Sequence, residues 1–182
     1  FADYRLKEKS IAGFYEYMKL HKLSARSQAR VVSSLRTYFK FCESLGHKSP
    51  ELRELKPPRV KVNLPKTLTL GEFEKLLLAS VVEDEDRSRR NHLTLMLLFS
   101  LGCRVSELIA LDLEDYHESD RWLKIVGKAQ KERLVPVSDH LALLLADYIQ
   151  KSRENLLKEN SSTILVNDRG HRPSRVDIWR WL

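Results

Sequence analysis

The chain has 182 residues, 42% hydrophobic and 31% charged, with a formal net charge of +7 at pH 7. This is the composition of one or two ordinary globular domains. The longest apolar run, Leu93 to Leu101, is interrupted by Thr94 and Ser100 and falls far short of the ~20 residues a bilayer span requires.

No secretory signal pattern is read in the chain, and Cys42 and Cys103 show neither CxxC nor Cys/His ligand spacing. A reducing, cytoplasmic compartment without disulfide, metal or membrane partner is therefore the expectation. The charge is unevenly spread. Residues 1–64 hold 14 Lys/Arg against 6 Asp/Glu, whereas residues 66–182 hold 18 against 19. A first part at +8 beside a remainder at −1 points to a polyanion, most obviously nucleic acid, although a merely solvated basic surface accounts for the charge as well.

In chain order, apolar residues Ile11, Phe14, Tyr15 and Met18 recur at helical spacing within Lys9 to Lys22, with the Lys22 stem extending the stripe. Ser24 then offers a cap for a second helix running to Leu45, where Gly46 supplies the stop. At about 100° per residue, Val31, Val32, Leu35, Tyr38, Phe39 and Cys42 form one stripe, and Arg26, Arg30, Ser33, Thr37 and Lys40 lie opposite. Phe41 falls near the polar side. Arginines with small hydroxyls suit phosphate, because forked donors grip and short side chains allow close approach. No acid occurs from Arg26 through Lys40.

Lys56 to Lys66, "KPPRVKVNLPK", holds three prolines and four cations, reads as an extended linker and cannot be a helix interior. Thr69 and Glu72 predict a capping box for a helix to about Ala79. An acidic patch, Glu83 to Asp86, precedes a buried helix over about Arg89 to Leu101, then Gly102, Arg104 and a short helical turn over Val105 to Leu111. The period then changes. "RWLKIVG", Arg121 to Gly127, and "ERLVPV", Glu132 to Val137, predict a β-hairpin whose tip carries Lys128. Helix returns over about Asp139 to Lys158, "STILV" reads as extended, and Ser174 with Asp177 caps a last helix that is still running at Leu182. Neither GxGxxG nor a Walker-type loop is present, which argues against nucleoside-triphosphate chemistry.

Arg104 and Lys128 each sit at the edge of a rigid element. Taken singly, Arg104 is explained by a salt bridge to Glu107 or Asp112, and Lys128 by a solvated turn. Their surroundings add more. "LFSLGCRVSELIALDLEDY", followed by "VGKAQKERLVPV" with its first lysine twenty-four positions after the arginine, resembles the tyrosine recombinase (phage integrase) family, most closely its Xer-type members. There the stretches typically read TGLRxSELxxLxxxD and GKGxKxRxVPL. "LSARSQARVVSSLRTYFKFC" resembles the DNA-contacting helix of the family's core-binding domain, and "LPKTLTLGEFEKLL" its linker and first catalytic helix.

The resemblance implies a mainly α chain with a small β-hairpin or sheet. Residues 1–56 would be part of a helical core-binding domain, 57–66 a linker, and 67–182 the N-terminal part of a catalytic domain. It implies that Arg104 is the first catalytic arginine, holding nonbridging oxygens of the scissile phosphate, and that Lys128 is the general acid for the departing 5′ oxygen. Glu107 and Asp112 would support the arginine turn. Arg26, Ser27, Arg30, Ser33 and Thr37 would contact DNA, as would Lys131 and Arg133 near the hairpin, Arg133 having a local carboxylate as its alternative partner. Cys103 and Ala129 stand where the family has leucine and glycine.

The family's HxLRH motif and nucleophilic tyrosine are expected beyond Leu182, and early helices of the first domain before Phe1. None of Tyr4, Tyr15, Tyr17, Tyr38, Tyr116 and Tyr148 matches the nucleophile position, and His140 and His171 lack an HxxR context. The 182 residues are accordingly expected to bind a double-stranded recombination site and leave it intact. A complete protein would cut and rejoin DNA without cofactor or metal, as a homo- or hetero-tetramer on paired sites. Chromosome partition, integration and inversion all remain open as its use. A non-catalytic DNA-binding regulator on the same scaffold is the second reading, and a helical protein-interaction module the third.

Overall fold

The computed structural model describes residues 11–47, 56–60 and 67–182. The chain divides into two compact units, Phe1–Lys66 and Thr67–Leu182. The first expected helix start, at Lys9, and residues 61–66 of the expected linker lie outside the described residues; Lys56 to Val60 is non-helical.

In the first unit, α1 (Ile11–Leu20) and α2 (Ala25–Ser44) bury Met18 against Val32, with Phe14, Tyr15, Leu23, Val31, Leu35 and Phe39 packed around them. The turn between the helices places Lys22 in the left-handed region at φ 52°, so its stem does not extend the stripe. Ser24 caps α2 by accepting from the Ser27 amide. The helix ends as Gly46 enters the left-handed region at φ 86°, with the Gly46 amide donating to Glu43 O and the His47 amide to Cys42 O. Those two bonds satisfy the last carbonyls at a position where only glycine avoids a steric cost. Tyr38 departs from its expected place in the stripe, being 60% exposed. Among the described residues its ring meets Phe39 edge-on, centroids 5.7 Å apart.

The second unit is built around α4 (Glu85–Leu101), which packs against α6 (Asp139–Tyr148). Leu93, Leu97 and Leu101 of α4 meet Leu141, Leu145 and Tyr148 of α6 in one core with Leu108, Leu123, Ile125, Ile164 and Ile178. Spacing by four and three residues places each set on one helical face, and each fully buried leucine contributes about 1.5–3 kcal/mol. α3 (Leu70–Ala79) begins in the expected Thr69–Glu72 capping box and stacks Phe73 on Phe99 of α4, ring centroids 4.0 Å apart. α4 starts four residues earlier than its apolar pattern suggests. Asp84 caps it, and Glu85 and Asp86 occupy the first turn, where carboxylates favour the helix dipole.

α5 (Val105–Ile109) follows Gly102, and a 3₁₀ turn (Leu113–Asp115) leads into the sheet. Its strands β1 (Tyr116–His117), β2 (Trp122–Val126) and β3 (Glu132–Pro136) are antiparallel in the order β1-β2-β3. The third strand, β1, is only two residues long and carries no alternation that a sequence pattern reveals. α6 runs into a π-turn (Ile149–Arg153) and a final turn, α7 (Glu154–Leu156), so this helical stretch ends before Lys158. The π-turn brings Arg153 inward, where Nε donates to Thr163 O at 2.8 Å and Nη2 donates to Ser161 O. "STILV" forms no strand: Thr163 makes an isolated bridge with Asp112, the Ile164 amide donates to Leu111 O, and the chain bends at Ile164 and Leu165. Last, α8 (Arg175–Trp181) begins in the Ser174–Asp177 capping box and lays Trp181 under the Arg90 guanidinium, 3.8 Å from the ring centroid.

Candidate active site and nucleic-acid interface

Arg104 occupies the junction between α4 and α5. Gly102, at φ 54°, turns the chain out of α4, and Arg104 in extended conformation is the residue just before α5. Glu107 Oε2 accepts from the Arg104 amide at 3.0 Å, and Glu107 Oε1 accepts from Arg104 Nη1 at 2.7 Å. The sequence leaves Glu107 and Asp112 as alternatives for Arg104; Glu107 holds it, while Asp112 pairs with Arg172 at 2.5 Å and accepts from Ser162 at 2.7 Å. The Arg104 side chain is 72% exposed and Glu107 is buried. A guanidinium at the edge of an apolar helix is thus held at its base and open on its remaining donors.

Arg133 also reaches Glu107, donating from Nη2 to Oε2 at 2.7 Å. The local carboxylate read from the sequence as its alternative partner is thus Glu107. Arg133, then the Arg104 amide and the Arg104 side chain, hold the Glu107 carboxyl down at about 2. Charge-assisted bonds to an ionised group favour that ionised form. Burial, and after it the same carboxylate, push the Cys103 thiol up to about 11, which leaves it an inert core side chain.

Lys128 opens the turn between β2 and β3. Gly127 donates its amide to Lys131 O at 2.7 Å, closing the loop, and Ala129 and Gln130 both take left-handed φ, 60° and 57°. Two left-handed residues in succession help reverse the chain within the loop over 127–131, and they explain why glycine suits position 129. Lys128 and Lys131 are exposed and form no ion pair among the described residues. In α2, Arg26, Arg30, Ser33, Thr37 and Lys40 are exposed, and no ion pair engages these cations among the described residues. Ser27 is half-buried at the cap, sharing a hydrogen bond with Ser24.

Residues 66–182 match the phage integrase family. The chain belongs to that family. Within it, the chain resembles tyrosine recombinases of the Xer type. It is 32% identical to tyrosine recombinase XerD of Oceanobacillus iheyensis over 182 residues, 98% of this chain and 60% of that protein. It is 35% identical to tyrosine recombinase XerD of Pseudomonas aeruginosa over 158 residues, 85% of this chain and 52% of that one. The chain therefore spans about 60% of the length of the first curated relatives it matches. Among solved structures, a lambda integrase dimer bound to a COC′ core site has the same fold, with a TM-score of 0.70 and 21% identity over 95% of this chain and 48% of that one. XerA recombinase aligns with a TM-score of 0.54 and 19% identity, covering 96% of this chain and 57% of that one. The mainly helical architecture with its small antiparallel sheet is the phage integrase catalytic fold.

In this phage integrase family chain, one carboxylate joins the arginine turn to the hairpin. Motif reading leaves that junction undecided. The signal for it lies in the alternation of "ERLVPV", which turns Arg133 and Val135 to one side of β3 and Leu134 to the other, 61% exposed.

Proposed function

We propose that the protein acts in site-specific DNA recombination, in which a complete polypeptide cuts and rejoins DNA through a 3′-phosphotyrosyl intermediate. The observation that carries this reading is Arg104, exposed at the start of α5 and braced by buried Glu107, with Lys128, exposed and without an ion pair among the described residues, on the hairpin fastened to the same carboxylate. A tyrosine oxygen attacks phosphorus, the bond to the 5′ oxygen breaks, and negative charge rises on the nonbridging oxygens. Arg104 meets that charge with donors already fixed in place. Lys128 supplies the proton the 5′ oxygen needs to leave. The phosphotyrosyl bond keeps the energy of the phosphodiester, so rejoining calls for neither nucleotide hydrolysis nor a metal ion.

Arg26, Ser27, Arg30, Ser33, Thr37 and Lys131 hold the duplex by its phosphates. Arg133 is assigned to Glu107 instead. None of the six tyrosines occupies the nucleophile position implied by the family's motifs, so the 182 residues alone bind DNA without cutting it. The complete protein works as a tetramer on paired sites, a reading supported by the lambda integrase tetramer solved on a Holliday junction.

The test uses a suicide DNA substrate that traps covalent protein. The 182-residue chain is expected to bind it and form no adduct, and the complete polypeptide to form one. Arg104→Ala should slow cleavage by about 10²–10³-fold and Lys128→Ala by about 10²–10⁴-fold, with DNA affinity nearly retained. Unchanged cleavage in both variants defeats the assignment. Binding without any cleavage by the complete polypeptide favours a DNA-binding regulator.

A further inference from the structure

The pairing of β2 with β3 sets Arg133 opposite Ile125, a fully buried residue, so the strand's alternation directs Arg133 inward at the end of the sheet nearest the loop. There it finds Glu107, which belongs to a different element twenty-six residues earlier. Glu107 thereby takes bonds from two parts of the site: Arg104 through Nη1 and its amide, and Arg133 through Nη2. The base of the hairpin lies against the same carboxylate. A Cβ added at Gly127 would stand 3.4 Å from Glu107 Oε1, 3.5 Å from Arg133 Nη1 and 3.3 Å from Lys131 O.

We propose that Arg133 is a positioning residue, a strut that ties the Lys128 hairpin to the Arg104 turn through Glu107 and keeps that carboxylate paired when Arg104 engages phosphate. This rests on the recombinase reading above. Arg104 touches Glu107 through one guanidinium nitrogen and is largely exposed, so a phosphate competes directly for its donors. A buried carboxylate that loses its only cation is strongly unfavourable. Arg133 removes that cost, since it remains on Oε2 whichever way Arg104 turns. It also joins two segments that share no backbone hydrogen-bond ladder at this point, so the acid and the phosphate clamp keep one spacing. Positioning of this kind acts on the rate of the chemical step, because small displacements of a general acid are costly.

Two measurements test the strut. In the 182-residue chain, Arg133→Met should raise amide hydrogen exchange at residues 127–131 by about tenfold or more and leave the α4 and α6 core amides unchanged, with Arg133→Lys restoring much of the protection. In the complete polypeptide, Arg133→Met should slow cleavage of ordinary DNA by about 10–100-fold, with affinity changed less than about twofold. Replacing the 5′ bridging oxygen with sulfur gives a leaving group that departs without a proton. On that DNA the Arg133→Met defect should largely disappear, as should that of Lys128→Ala, whereas Arg104→Ala should stay slow. Three results would overturn the strut: unchanged exchange in the hairpin, a cleavage defect that persists on sulfur-substituted DNA, or a loss of affinity in which the salt slope falls by about one, the mark of a phosphate contact. A complete polypeptide that cleaves neither DNA sinks the recombinase reading instead, and the exchange measurement still decides whether Arg133 holds the hairpin.

Discussion

The cations of α2 and those of the second unit are used in opposite ways. Arg26, Arg30, Arg36 and Lys40 stand exposed along one helix with no ion pair among the described residues and no acid between Arg26 and Lys40. In the second unit, Arg89 spans Glu85, Asp86 and Asp147; Arg90 lies buried on Asp168; Lys124 pairs with Asp115; Arg133 with Glu107; Arg172 with Asp112. With cations and carboxylates near balance there, many of the cations are held internally by carboxylates. Lys128 and Lys131 at the hairpin form no ion pair among the described residues, as is also true of Lys75, Lys158, Arg175 and Arg180, and Arg104 keeps its outer donors exposed. A cation with no internal partner is available to a polyanion, and one already bonded to a carboxylate must be won from it.

That contrast can be broken in several ways, from large effects to small. Leu97→Ala empties the centre of the second unit and should cost about 2–5 kcal/mol, seen as early loss of its cooperative unfolding transition. If DNA affinity through α2 survives at temperatures where that transition is complete, the two units serve separate roles. Arg26→Gln with Arg30→Gln should lower the slope of log affinity against log salt by about two, measured by titrating duplex DNA over a salt series. An unchanged slope would show these arginines to be merely solvated.

The paired cations make a different expectation, in pH. Glu107 has its folded carboxyl held at about 2 against an ordinary 4.5, so its stabilising contribution is complete above about 4.5 and is lost as pH falls through about 2. Urea midpoints of the second unit should therefore decline across that window, and Glu107→Gln should flatten the decline; an equal slope in that variant would contradict the shared carboxylate. The smallest expected effect is at the hairpin tip. Ala129 sits at φ 60°, and Ala129→Gly should stabilise the second unit by up to about 1 kcal/mol by removing a left-handed alanine. A lower melting temperature would show that glycine's extra unfolded-state freedom outweighs the relief.

Local chemistry made much of the fold legible. Ser24, Thr69 and Ser174 mark helix starts because a cap bonds within its own first turn, and Gly46 marks a stop because one backbone angle decides it. The strands of the hairpin show in their alternation. Other features carry no such signal. β1 pairs along the edge of β2, the π-turn carries Arg153 to the Thr163 carbonyl, and Tyr38 is exposed although its spacing puts it in the apolar stripe. The start of α4 was hidden by an acidic patch that reads as loop until Asp84 is seen to cap it.

The same division runs through the candidate site. Motif and spacing by themselves determined that Arg104 and Lys128 sit at the ends of rigid elements, since helix stops and hairpin turns are encoded within a few residues. Which carboxylate receives which arginine was decided only by tertiary structure. Glu107 and Asp112 are both within reach of Arg104 along the sequence, and the choice between them depends on Arg133 and Arg172 arriving from 26 and 60 residues away. Ion pairing between distant segments depends on how whole elements pack: the alternation of "ERLVPV" sets the face Arg133 takes, and packing sets the carboxylate it meets.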